Sequence, residues 1–149
     1  MVLNIEQNSA QDDIEISIKY PILNGTVERI ISFIKSVDMQ IECSSNNSIK
    51  LINISDIYYI ESENKTTIIY YDDKKIQTGF RLYQLHEKLA EKGFIQVSKY
   101  CILNINKLVE IKPLLNSRME AIMTNGARIF ISRRYLSNIR RRLQNEEYN

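Results

Sequence analysis

Tryptophan is absent from this 149-residue chain; histidine occurs once, cysteine and proline twice each, and glycine four times. Each scarcity closes off a class of chemistry. Two cysteines, Cys43 and Cys101, do not build a disulfide framework or a metal cluster. Both read as reduced packing residues. Four glycines supply no Gly-rich loop after a strand to cradle a phosphate. The lone His86 sits beside Leu85 and Leu89 and reads as half-buried packing on a helix. No apolar run approaches the ~18 residues that would span a bilayer. The start, Met1-Val2-Leu3 with acidic residues soon after, does not read as a signal peptide. The expectation is a soluble, cytoplasmic protein, not an enzyme, with no cofactor.

What the chain does hold is apolar residues, at 44%, and an uneven charge. The apolar content is enough for the core of one domain. Order is expected throughout, except for residues 1–10 and the polar tail after Leu143. Residues 1–75 hold 7 Lys+Arg against 12 Asp+Glu, net −5, while residues 76–149 hold 13 against 6, net +7. The overall +2 hides this asymmetry. A basic half of this kind suits a polyanionic partner.

Periodicity gives the elements. Ile14, Ile16 and Ile18 alternate with Glu15, Ser17 and Lys19, the pattern of a half-buried strand over residues 13–20. After Pro21 and Asn24-Gly25, Thr26 can cap a helix reaching about Val37, with Val27, Ile30, Ile31 and Ile34 on one face. Strands are expected at 41–43, 49–54, 57–61, 65–71 and 74–80, with Asp72-Asp73 as a hairpin turn. Leu82, Leu85 and Leu89 mark a short helix, with Gly93 at its C-cap. Residues 94–103 read as one strand and 108–114 as another. Asn125-Gly126 between residues 118–124 and 127–132 is the strongest hairpin signal, a type I′ turn with positive φ at both positions. A last helix covers about 134–143, with Leu136, Ile139 and Leu143 inward. The fold class is mainly β (α+β), and a doubly wound α/β fold is excluded.

Two stretches stand out chemically: Ser98-Lys99-Tyr100-Cys101-Ile102-Leu103-Asn104 and Ser132-Arg133-Arg134-Tyr135. Each presents basic or polar side chains flanked by apolar residues that would hold them rigid. An arginine fork matches the O6 and N7 acceptors of guanine. The alternative is a helix start with solvated charge, but cations oppose the dipole at a helix N-terminus. Mid-strand, Lys99 fits equally an edge lysine that discourages aggregation. The run Arg140-Arg141-Arg142 fits a solvated helix face or phosphate contacts.

Together with Ser55-Asp56-Ile57-Tyr58-Tyr59-Ile60-Glu61, the helix ending at Leu89, Phe94-Ile95-Gln96-Val97, Asn125-Gly126 and Ile129-Phe130-Ile131, these stretches resemble the LytTR DNA-binding domain of bacterial transcription regulators. The layout is similar to stand-alone LytTR regulators of Gram-positive bacteria. The resemblance implies small antiparallel β-sheets elongated along double-stranded DNA, with loops in successive major grooves. It divides the chain into a strand–helix extension over residues 1–40, the LytTR-like domain over 41–145 and a tail over 146–149. DNA-facing positions carried over by it are Asn64, Lys65, Thr66 and Thr67, then Lys99 and Tyr100, then Arg133 and Arg134. Ser98 stands where the family usually has His, Tyr100 where it has a hydroxyl residue after the basic one, and Thr67 where some members have His. Those departures bear on the target sequence. The resemblance also implies a homodimer on direct repeats and an inhibitory membrane protein as partner.

Asn104, a family hallmark, is expected to hold the turn at Ile105-Asn106. Phe94, Phe130, Tyr135, Tyr58 and Tyr59 are expected to pack. Asp72-Asp73 is a turn rather than a metal site, and the ~40 residues ahead of the basic domain are too few for a receiver around Asp12-Asp13. Two other readings compete: a protein-interaction or antagonist module working through the N-terminal extension, and single-stranded RNA binding on a tyrosine-rich sheet. The latter requires open rings at Tyr58, Tyr59, Tyr70 and Tyr71.

Overall fold

The computed structural model describes residues 1–144, so the expected tail lies outside the described residues. The first helix, α1 (Gly25–Ser36), is followed by a hairpin of β1 (Gln40–Ser45) and β2 (Ser48–Asn53). A five-stranded antiparallel sheet follows. It contains β3 (Ile57–Glu63), β4 (Thr66–Tyr71), β5 (Lys74–Thr78), β6 (Phe94–Ser98) and β7 (Cys101–Asn104), in the order β5-β4-β3-β7-β6. Helix α2 (Leu82–Leu89) crosses between β5 and β6. A three-stranded sheet, β10-β9-β8, uses β8 (Leu108–Pro113), β9 (Met119–Met123) and β10 (Arg128–Ile131), and α3 (Arg133–Gln144) closes the described chain.

The central sheet has two cores because strand parity sends alternate residues to opposite faces. Phe94 and Ile102 join Ile57, Ile60, Ile69, Leu85 and Leu89 on one side. Ile95, Val97, Cys101 and Leu103 join Met123, Ile131 and Ile139 of the second sheet and α3 on the other. All four residues of β7 are therefore buried. Asn104, at its end and 2% exposed, donates through Nδ2 to the Ile57 carbonyl at 3.0 Å. Its Oδ1 accepts from the Asn106 N–H at 3.0 Å, which holds the turn as expected.

The N-terminal expectation is half right. Helix α1 forms, but its cap is Asn24, whose Oδ1 accepts from Val27 N–H at 3.0 Å, not Thr26. The strand expected at 13–20 pairs with nothing: residues 1–23 contribute no strand to any sheet, and Ile14 is 84% exposed. Alternation provides a face to bury, but a strand also needs a neighbouring edge to bond. Nor does α1 bury its apolar stripe. Gly25, Ser32 and Ser36 are its buried residues, while Val27, Ile30, Ile31 and Ile34 are half-buried and Phe33 and Val37 exposed. The small serines allow close approach to the Gly93 turn, where an added Cβ would lie 3.2 Å from Ser32 Oγ.

The turns also differ from expectation. Type I′ geometry, with positive φ at both central residues, occurs at Asn46-Asn47 and Asn64-Lys65. At Asn125-Gly126 only Gly126 has positive φ, and the Gly126 N–H donates to the Met123 carbonyl at 2.9 Å. Phe130, expected to pack, is exposed on β10 with the Arg118 guanidinium 5.8 Å from its ring centre.

Candidate nucleic-acid interface

The residues 94–103, expected as one strand, form two. Ser98 pairs with Cys101, and Lys99-Tyr100 is the two-residue turn between β6 and β7. Lys99 is thus at a hairpin tip, not mid-strand. The reversal has no glycine or asparagine to announce it. It is held instead by the Tyr100 N–H donating to Ser98 Oγ at 3.2 Å. Both side chains are exposed, with Lys99 Nζ 5.6 Å from the Tyr100 ring centre.

Two backbone hydrogen bonds join this tip to the other basic segments. The Ser62 N–H donates to the Tyr100 carbonyl at 2.8 Å, placing the end of β3 beside it. The next residues along that strand reach the exposed Asn64-Lys65 turn. The Ser132 N–H donates to the Val97 carbonyl at 2.9 Å, which puts the entrance of α3 next to the same tip. Arg133 and Arg134 are the first two residues of α3 and both are exposed. Segments more than thirty residues apart in sequence therefore share one region of surface.

Thr67 does not belong to that surface. It is 2% exposed and pairs with Ser62 and Thr78. Along β4 the burial alternates, so Thr67 turns inward and half-buried Thr66 turns outward. Sequence reasoning missed Arg81. Its guanidinium Nη1 donates to the Lys65 carbonyl at 3.1 Å, adding an exposed cation to the first turn. Sixteen residues separate the two, and no periodic signal links them.

On α3, Ile139 is fully buried and Leu136 and Leu143 pack beside it, as expected. Arg140 and Arg141 are exposed and Arg142 half-buried. The Arg141 guanidinium reaches Asn138 Oδ1 at 3.4 Å.

Nothing in the region supports covalent chemistry. Burial, with the Glu61 carboxylate adding to it, pushes the Cys101 thiol far above its ordinary value of 9.0. Burial likewise pushes Tyr59 up to about 12. Neither is a nucleophile at neutral pH. Among the described residues, no three His, Cys, Asp or Glu side chains are grouped to hold a metal. The described helices include none long and apolar enough to cross a membrane.

The tyrosine sheet offers little platform for bases. Tyr71 is buried and Tyr58, Tyr59 and Tyr70 are half-buried. Tyr59 and Tyr70 stack on each other, centres 4.3 Å apart and 13° from parallel, and Lys107 Nζ sits 5.2 Å from the Tyr58 ring centre.

Comparison with known proteins gives the family. The family described as the LytTr DNA-binding domain matches residues 47–144. An uncharacterized HTH-type transcriptional regulator of Staphylococcus aureus (strain NCTC 8325 / PS 47) is 30% identical over 148 residues, covering 96% of this chain and 98% of that protein. The sensory transduction protein LytT of Enterococcus faecalis is 29% identical over 103 residues, 69% of this chain; the match spans 43% of the LytT protein's length. Among solved structures, the LytTr DNA-binding domain of a Bacillus cereus methyl-accepting/DNA response regulator superposes with a TM-score of 0.64 at 23% identity, covering 70% of this chain and 95% of that one. The chain belongs to the LytTR family, the DNA-binding domains of transcriptional regulators and not a family of enzymes. The helix-turn-helix label belongs to the Staphylococcus protein's name: here strands separate each α-helix from the next.

Proposed function

We infer that this chain regulates transcription by setting the Asn64-Lys65 turn, the Lys99-Tyr100 turn and the entrance of α3 against double-stranded DNA, with the turns entering successive major grooves. The observation that carries this reading is the pair of hydrogen bonds, Ser62 to Tyr100 and Ser132 to Val97, that gathers the three exposed segments. Lys99, Arg133 and Arg134 supply base-directed donors, and Arg134 is the better placed by resemblance for a guanine. Arg140, Arg141 and Arg142 supply phosphate contacts, which position the protein without reading sequence. Arg81 acts at the first turn by holding its backbone and adding charge. The segment ahead of β1, where Asp12, Asp13, Glu15, Glu28 and Asp38 outnumber Lys19, Arg29 and Lys35, stays off the duplex.

The test is a gel-shift titration on the DNA upstream of the chain's own gene at low salt. A retarded complex that survives excess random competitor supports the reading. Absence of any complex at low salt overturns it.

A further inference from the structure

Among the described residues, eleven of the nineteen exposed large hydrophobics precede residue 40, and the DNA reading uses none of them. Exposed apolar side chains concentrated on one segment mark an interaction site more than scattered single ones do. Residues 13–20 carry the alternation of a half-buried strand, yet they bond to no strand in the described chain. The same chain holds the complementary vacancy. Among the described residues the outer edge of β2 has no partner strand, and on it Ile49 is 70% and Leu51 55% exposed. Such an edge invites another strand.

We propose that residues 13–20 add as a strand to the free edge of β2 in a second copy of this chain. The parities agree. If Ile14 and Ile16 share a face with Ile49 and Leu51, Glu15 falls on the opposite face, the one that carries Lys50. Acid therefore meets base where apolar meets apolar. The other edges fit less well. β5 lies against β1, and β6 lies against β10. β8 is broken by a bulge and ends at Pro113, which has no N–H to give. Donor arm and acceptor edge are different surfaces of one chain, so each copy can both give and receive. The proposal stands apart from the DNA reading and is tested without DNA.

The experiment is light-scattering mass measurement of the full chain after gel filtration. The wild-type chain is expected at twice its monomer mass. Ile14→Lys with Ile16→Lys, and separately Ile49→Lys with Leu51→Lys, each halve that mass while far-UV circular dichroism is unchanged. Mixing the two variants restores a dimer, because one retains the edge and the other the arm. A monomeric wild-type chain, a dimer surviving in either folded variant, or a mixture that stays monomeric overturns the proposal. If the β2 variant loses its fold, Glu15→Cys combined with Lys50→Cys decides, with Cys43, the cross-strand neighbour of Lys50, changed to Ala. An interchain disulfide at dimer mass supports the arm-to-edge contact, and an intrachain disulfide or none overturns it.

Discussion

The Ser132 N–H donates to the Val97 carbonyl at 2.9 Å, fixing the first turn of α3 to the strand that delivers Lys99. A lysine on a hairpin tip and two arginines on a helix are thus tied together through the backbone. Rigid presentation lowers the ordering cost of contacting a partner and sharpens discrimination between partners. The relationship lets single substitutions be sorted by what they should do.

Arg134→Ala and Lys99→Ala should lower affinity for the cognate duplex more than for random duplex, by about 1–3 kcal/mol for a base-reading arginine. Arg141→Ala should weaken both alike, because phosphates carry no direct sequence information. Fluorescence anisotropy on the two duplexes measures the difference. Equal losses for Arg134→Ala would move it to the phosphate class.

Binding should fall steeply with salt, since each neutralised phosphate releases counterions. In strong cases the loss is about 10³-fold or more between roughly 50 and 200 mM salt. Arg141→Ala should flatten the slope of log affinity against log salt by about one unit if it holds one phosphate. A wild-type affinity flat across that range would remove the electrostatic reading of residues 76–149.

Asn104→Ala should destabilise the fold by about 1–3 kcal/mol, measured by urea unfolding, because it strands the buried Ile57 carbonyl. Asn104→Asp keeps the acceptor for Asn106 but loses the donor to Ile57, so it should also destabilise. Wild-type midpoints for both variants would show that the two bonds contribute nothing.

Much of this architecture was legible in the sequence, and the failures have physical causes. The spacing of Leu82, Leu85 and Leu89 gives α2, and that of Leu136, Ile139 and Leu143 gives α3, because helix periodicity is local. The strand expected at 13–20 failed because pairing is not local: Ile14 and Ile16 alternate as a strand would, but residues 13–20 bond to no strand among the described residues. The Lys99-Tyr100 reversal was hidden inside a strand-like stretch with no glycine, proline or asparagine, marked only by Ser98. Thr67 was grouped with its turn when parity sends it inward. Ser32 and Ser36 replaced the apolar stripe as the buried line of α1 because close approach to Gly93 favours small side chains.

Stability should decline on the alkaline side. The folded state raises the thiols of Cys101 and Cys43 above their ordinary 9.0, chiefly by burial. Above that pH the unfolded chain loses protons that the folded chain keeps, so unfolding is favoured as pH rises. Tyr59, raised from 10.0 to about 12, adds to the loss only above pH 10. Each group contributes a slope of at most about 1.4 kcal/mol per pH unit. Cys101→Val should make the decline between pH 9 and 10 shallower in urea titrations. An unchanged slope would place its origin elsewhere.

The central claim is that the Asn64-Lys65 turn, the Lys99-Tyr100 turn and the entrance of α3 form one surface for duplex DNA. Amide chemical shifts of the labelled chain, followed by NMR while cognate duplex is added, test it most directly. The expected result is perturbation concentrated at residues 64–66, 98–100 and 132–134, with residues 13–37 unmoved at the same ratio. Perturbation confined to the N-terminal arm, or to Tyr58, Tyr59 and Tyr70, with the two turns silent, would contradict it.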